Sequence, residues 1–116
     1  MTADTTPQAH ILTPDAIVEL PVAPIGNLQG VERKILWRAE ASEAGILVVF
    51  AGHRLGMHSH RANHHHLWVL DGHARILDTI VGPGSFVHVP SGVEHDIDAT
   101  DTDGCAVFYV YAPLPA

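Results

Sequence analysis

Two histidine groups, His58-Ser59-His60 and His64-His65-His66, lie close together and are followed by a lone His95 just past a Pro90-Ser91-Gly92 turn. Seven of the ten histidines fall between His53 and His73, a density that points to a bound metal ion. Residues two apart on a β-strand share a face, so His58 and His60 can present two imidazoles to one ion. A short loop, Arg61-Ala62-Asn63, then lets the chain double back and bring a third donor from the neighbouring strand. A single histidine on an apolar strand is more often a satisfied core residue than a ligand. Several facing one interior need either a metal or hydrogen-bond partners, and the adjoining run Leu67-Trp68-Val69-Leu70 supplies no partners. The triple histidine sits between strand-forming runs and not at a terminus, so it is no purification tag.

The elements that must position these side chains read as an all-β domain. Val31 to Arg38 and Gly45 to Ala51 are strands, with Ile17 to Leu20 as a short edge strand before them and Pro21 to Gly30 as a loop. The histidines ride on Met57 to His60 and His65 to Leu70. Asp71-Gly72 is a hairpin signal leading into Ala74 to Ile80. Ser85 to Val89, His95 to Ala99 and Cys105 to Tyr111 complete the set, and no segment has a helical period. Short strands with frequent turns mean a sandwich or small barrel.

Two motifs resemble those of the cupins. The first runs from Gly52 across five residues to His58, then His60, His65 and, after six more residues, Gly72. The second runs from Gly84 across five residues to Pro90, then Gly92, His95 and Ala99. The resemblance covers Gly52 to Ala99 and implies a double-stranded β-helix, or jelly-roll barrel, over residues 15–116 after a flexible segment 1–14. Cupins usually carry glutamate where this chain has His65 and asparagine where it has Ala99. The resemblance therefore implies a four-histidine metal site of His58, His60, His65 and His95, similar to that of manganese dioxygenase-like cupins and zinc polyketide cyclases. It also implies one divalent ion per chain (Mn, Fe or Zn, with Ni or Cu possible) and a homodimer. The stretch from Gly72 to Gly84 is shorter than in most cupins and would reshape one side of the barrel mouth.

Four neutral ligands leave an ion with its full charge, which favours an anionic partner such as an enolate, a catecholate or a deprotonated diketone. Strand parity puts Leu67 and Val69 on the same face as His65, and Ile97 on that of His95. On the last strand Phe108 and Val110 are expected inward, with the tyrosines left to the wetter face. Leu67, Val69, Ile97 and Phe108 are thus the expected pocket residues, suited to a hydrophobic or aromatic small molecule. A shift of register by one would exchange His64 for His65 as the ligand, and His66 faces away with His64. His10, His53 and His73 read as surface or turn residues, and His88 as an interface residue. The acidic positions Asp96, Asp98, Asp101 and Asp103 resemble part of a calcium loop but lack its spacing and read as a solvated turn. Glu94 is a turn residue facing water, and Cys105 a small buried one with no partner for a disulfide.

At 116 residues the chain is one domain, large enough for a core without disulfides. Six basic against thirteen acidic residues give a net charge of −7, which argues against nucleic acid or an anionic membrane as partner. The start has neither a basic nor an apolar leader region, so a cytoplasmic location is expected. Three function classes follow: a metal-dependent enzyme, either dioxygenase-like or a zinc-dependent cyclase or isomerase; a metal-dependent small-molecule binding module without turnover; and a metal-stabilised structural domain.

Overall fold

The computed structural model describes residues 8–60 and 63–113, so residues 1–7 of the expected N-terminal segment, Arg61 and Ala62 of the expected loop, and the tail beyond residue 113 lie outside the described residues. The elements are one short helix, α1 (Pro14–Glu19), and six strands: β1 (Val31–Ala39), β2 (Ser42–Phe50), β3 (Asn63–Ile76), β4 (Thr79–Val81), β5 (Phe86–Val89) and β6 (Gly104–Pro113). All pairings are antiparallel, in the order β1-β2-β6-β3-β4, with β5 on β3. Among the described residues no helix is long and apolar enough to cross a membrane.

The expected edge strand at Ile17 to Leu20 is instead α1. Thr13 accepts a hydrogen bond from Ala16 N at 3.3 Å, Pro14 occupies the first turn, and Asp15 suits the positive helix end. Lys34 donates to the carbonyls of Ile17 (3.0 Å) and Val18 (2.8 Å), satisfying the last turn. This cap chemistry outweighs the bounding prolines, Pro14 and Pro21, that suggested a short strand.

The Asp71-Gly72 signal is not a hairpin either. β3 runs unbroken from Asn63 to Ile76, and Leu70 is an extra residue in a bulge where Val69 pairs with Val107 but Asp71 with Ala106. Gly72 takes φ +70°, and a Cβ there would meet Gly104 O at 1.9 Å, so the glycine serves a bulge and a close backbone approach. The reversal comes at Leu77 and Asp78, both with positive φ, where neither residue is a glycine. Before the bulge His65, Leu67 and Val69 are buried, and after it Ala74 and Ile76 are.

The expected strands Met57 to His60 and His95 to Ala99 form an irregular pair held by isolated bridges. His58 and His95 exchange both backbone bonds (2.9 and 2.8 Å), Leu55 N reaches Ile97 O (3.0 Å), and Arg75 and Asp98 close the far side. The core beneath contains Leu47, Val49, Leu67, Val69, Ile76, Ile97 and Val107. Cys105 is buried there, and burial raises its thiol to about 11, so it stays an unreactive thiol.

Candidate metal centre

The irregular pair carries His58, His60 and His95, and β3 brings His65 against them. Each ring offers one nitrogen, and all four nitrogens lie within 4.8 Å of one another. His58 sits 4.2 Å from His95 and His60 4.5 Å from His65, measured between ring centres. A carbonyl can only accept, so the contacts of His58 Nδ1 with Gly56 O (2.8 Å) and of His95 Nδ1 with Val93 O (3.0 Å) fix a hydrogen on each Nδ1. Both Nε2 atoms are left as lone pairs. His65 Nδ1 faces that bare His95 Nε2 at 3.1 Å, about the separation of two nitrogens that share one ion at roughly 2.1 Å each. His60 Nε2 is buried without a partner.

Electrostatics agree with a cation-binding donor set. Burial, followed by neighbouring rings, lowers His65 to about 3 and lowers His60 as well. Burial also lowers His95, partly opposed by the Val93 carbonyl. Neutral imidazoles at neutral pH are the form that coordinates. The four residues therefore could hold a metal ion.

A buried clamp holds this geometry. Asp96 accepts from Arg54 Nε (2.7 Å) and Nη2 (2.5 Å) with one oxygen and from Gly56 N (2.7 Å) with the other, tying the turn before His58 to the residue after His95. The expected solvated Asp96 is thus a buried structural partner, whereas Asp98 caps the next turn through Thr100 N at 2.9 Å.

His58, His60 and His65 open on a cavity of about 290 Å³ whose apolar walls include Ile25, Leu47, Leu55 and Met57. Its polar side is Arg33, Glu43, Tyr109 and Tyr111. Of the expected pocket residues, Leu67, Val69 and Ile97 are buried in the core beneath and do not line this cavity. Phe108 is a correction of parity. Val107 and Tyr109 are the buried residues of β6, because Glu43 gives the Tyr109 hydroxyl an interior acceptor at 2.6 Å that outweighs the preference of tyrosine for a wet face.

Glu43, Arg33, Tyr109 and Tyr111 escaped the reading of the sequence. Glu43 is nonetheless in phase with Gly45, Leu47 and Val49 on the buried face of β2, a signal that alternation alone carries. It is buried, and hydrogen bonds from Tyr109, Arg38 and Tyr111 outweigh the cost of burial and hold its carboxyl below the ordinary range. Burial and then Glu43 push both tyrosines upward. Gly45 makes room for this: a Cβ there would lie 2.5 Å from the Tyr109 hydroxyl oxygen.

His64 and His66 point to the other face of β3. His64 Nδ1 lies 3.1 Å from His88 Nε2, and His66 stacks on His88 and Phe86 at 5.0 and 6.1 Å. Neither belongs to the four-nitrogen cluster.

A small antiparallel barrel with histidines converging at one end defines a cupin. Over residues 8–115 the chain matches the family described as ChrR cupin-like domain, and it belongs to that family. No curated protein matches it. Its fold is that of KdgF from Halomonas sp. (TM-score 0.75, 18% identity, 91% of this chain and 96% of that one). The same holds for a predicted oxalate decarboxylase from Thermotoga maritima (TM-score 0.74, 19% identity, 90% and 100%). A structure of Rhodobacter sphaeroides SigE in complex with the anti-sigma ChrR is also similar (TM-score 0.67, 21% identity, 83% of this chain and 50% of that one).

Proposed function

We propose that this chain is a metal-dependent cupin acting on a small hydrophobic or aromatic enolate or phenolate, in the manner of an oxygenase. The observation that supports it best is the convergence of four imidazoles, three of which line a cavity with apolar walls. His58, His60, His65 and His95 would hold one divalent ion, with Mn, Fe or Zn as the expected occupants and Ni or Cu also accepted by an all-nitrogen set. Such an ion, when bound, supplies Lewis acidity toward an anionic oxygen, with its charge undiminished by the neutral ligands.

The chain's own residues do the rest. The apolar walls keep water out and strengthen charge attraction inside. Tyr109 keeps its proton, donated to Glu43, and Glu43 keeps its charge. Glu43 is the one carboxylate among the described residues that line the cavity, and it is already engaged. No described cavity residue outside the four histidines is therefore poised to move a proton near neutrality, which disfavours a zinc-dependent cyclase or isomerase that needs a protein base. The same observation supports a second reading, a small-molecule binding module without turnover. A homodimer in the cytoplasm belongs to the proposal; half-exposed Trp68, Leu70 and Phe86 on the outer face of β3 and β5 support the dimer.

Elemental analysis of protein purified without tag or added metal, followed by oxygen uptake with acetylacetone and catechols after iron or manganese loading, tests the reading. Stoichiometric iron or manganese with oxygen uptake supports the oxygenase. Stoichiometric zinc with no uptake moves the function to the binding module, and no metal at all overturns both.

A further inference from the structure

The arginine of the cavity is only loosely paired with its nearest anion. Glu43 is the acid beside it, but its Oε1 takes both Arg38 Nε (2.6 Å) and Arg38 Nη2, and its Oε2 takes the Tyr109 hydroxyl (2.6 Å). Arg33 is left with a 3.9 Å approach to Glu43 Oε2 and a 3.3 Å bond from Nη2 to Pro24 O. Its Nε is buried with no acceptor. The side chain is a quarter exposed and lines the same cavity as His58, His60 and His65, among Ile25 and Leu47. A guanidinium that lines a cavity with apolar walls, its terminal nitrogens holding only a carbonyl at 3.3 Å and a carboxylate at 3.9 Å, suits an anion of planar, two-oxygen shape.

The origin of this loose pairing lies in β1. Arg33 and Arg38 are five residues apart, an odd spacing that would place them on opposite faces of a regular strand. The register slips between Ile35 and Trp37, so both arginines reach Glu43 and Arg38 takes the closer position. Two arginines thus share one glutamate, and Arg38, which lies outside the cavity, holds the closer position, leaving Arg33 inside it only loosely paired.

We propose that Arg33 is the carboxylate anchor of this cavity, and that the ligand is an acid carrying two groups: an enolate or phenolate oxygen for the ion at the histidines and a carboxylate for Arg33. This rests on the metal-binding reading above and adds the second recognition point. Tyr109 and Tyr111, whose rings lie 6.2 and 5.9 Å from His65, form the wall between the two.

The test compares acetylacetone with succinylacetone, the same diketone bearing a carboxylate, on the cobalt(II)-loaded protein. Calorimetry gives the affinity, and the cobalt visible bands report engagement of the metal. Succinylacetone should bind the unaltered chain about tenfold or more tightly than acetylacetone, as expected for one charge-assisted pair. Arg33→Gln should erase that gap, Arg33→Lys should restore part of it, and acetylacetone affinity and cobalt stoichiometry should stay as they were. Loss of both ligands alike in Arg33→Gln would mean that Arg33 only supports Glu43, and overturns the proposal. Succinylacetone methyl ester keeps the body and removes the charge, so on the unaltered chain it should bind no better than acetylacetone, a comparison that requires no variant to fold. A gap that is absent, or that survives in Arg33→Gln or in the ester, overturns the anchor while moving cobalt bands keep the metal reading. Bands that neither diketone moves overturn the metal reading and the anchor together.

Discussion

β3 displays histidines on both faces, and the two sets have different surroundings. His65 on the inner face is buried, faces a bare nitrogen of His95 and is held neutral down to about pH 3. His64 and His66 on the outer face meet His88 and Phe86 at the surface. Residue type and sequence position are nearly the same. Burial lowers His66 as well, and His64 also has a ring nitrogen of another strand 3.1 Å away, so what differs is that four nitrogens converge on the inner face and that His65 is buried far more deeply. A histidine becomes a candidate ligand through what the rest of the fold brings to it.

The contrast is most severely tested by removing ligands. His58→Ala or His95→Ala should take metal content from one ion per chain to near zero by elemental analysis, while His66→Ala leaves it at one. Loss of metal in His66→Ala but not in His65→Ala would reverse the assignment of the two faces.

The next effect in size concerns the polar side of the inner face. Glu43→Gln leaves Arg38 and the buried Tyr109 hydroxyl without their charged partner, and chemical denaturation should show a clear loss of stability, most of it from the Tyr109 side because Arg38 is half exposed. Gly45→Ala should destabilise through the Tyr109 hydroxyl and lower the melting temperature, with metal content retained.

Acid sharpens the comparison further. Because burial favours the neutral ring of His65, the unfolded chain binds more protons than the folded one between the ordinary value of 6.5 and about 3. The stability of the metal-free protein should be full above pH 6.5 and decline as the pH falls through that window, and bound metal should be released in the same direction. Urea midpoints measured across the window should show this slope flattened in His65→Gln.

The smallest effect belongs to the outer face. His64→Ala or His88→Ala should shift stability by no more than about 0.5 kcal/mol, as surface substitutions do. A large loss there would show that the outer set is more than a surface contact.

What the sequence disclosed follows from range. Histidine spacing on alternating strands is a local property that brought His58 and His60 into view and indicated an all-β barrel, whereas the choice of His65 over His64 and the distant His95 came from the resemblance to the cupin motifs. The Arg33, Glu43 and Tyr109 group was hidden because Tyr109 lies 66 residues from Glu43, and because the slip in β1 changes which side chains face inward. Asp71-Gly72 misled because one dipeptide serves both hairpins and bulges, while the true turn at Leu77 and Asp78 uses residues that seldom adopt positive φ. The helix was legible in Thr13-Pro14-Asp15, although six residues are too few to show a period.

The extra residue at Leu70 also constrains how this gene can change length. Ahead of it odd-numbered side chains of β3 enter the interior, and behind it even-numbered ones do. Removal of that single codon would join Val69 to Asp71, which already pair with the consecutive Val107 and Ala106, and restore a uniform pleat with Ala74 and Ile76 still inside. Deletion of Leu70 should therefore leave the inward set intact, whereas deletion of a single residue elsewhere in the strand flips every side chain beyond it, so length variation in this strand is expected at the bulge.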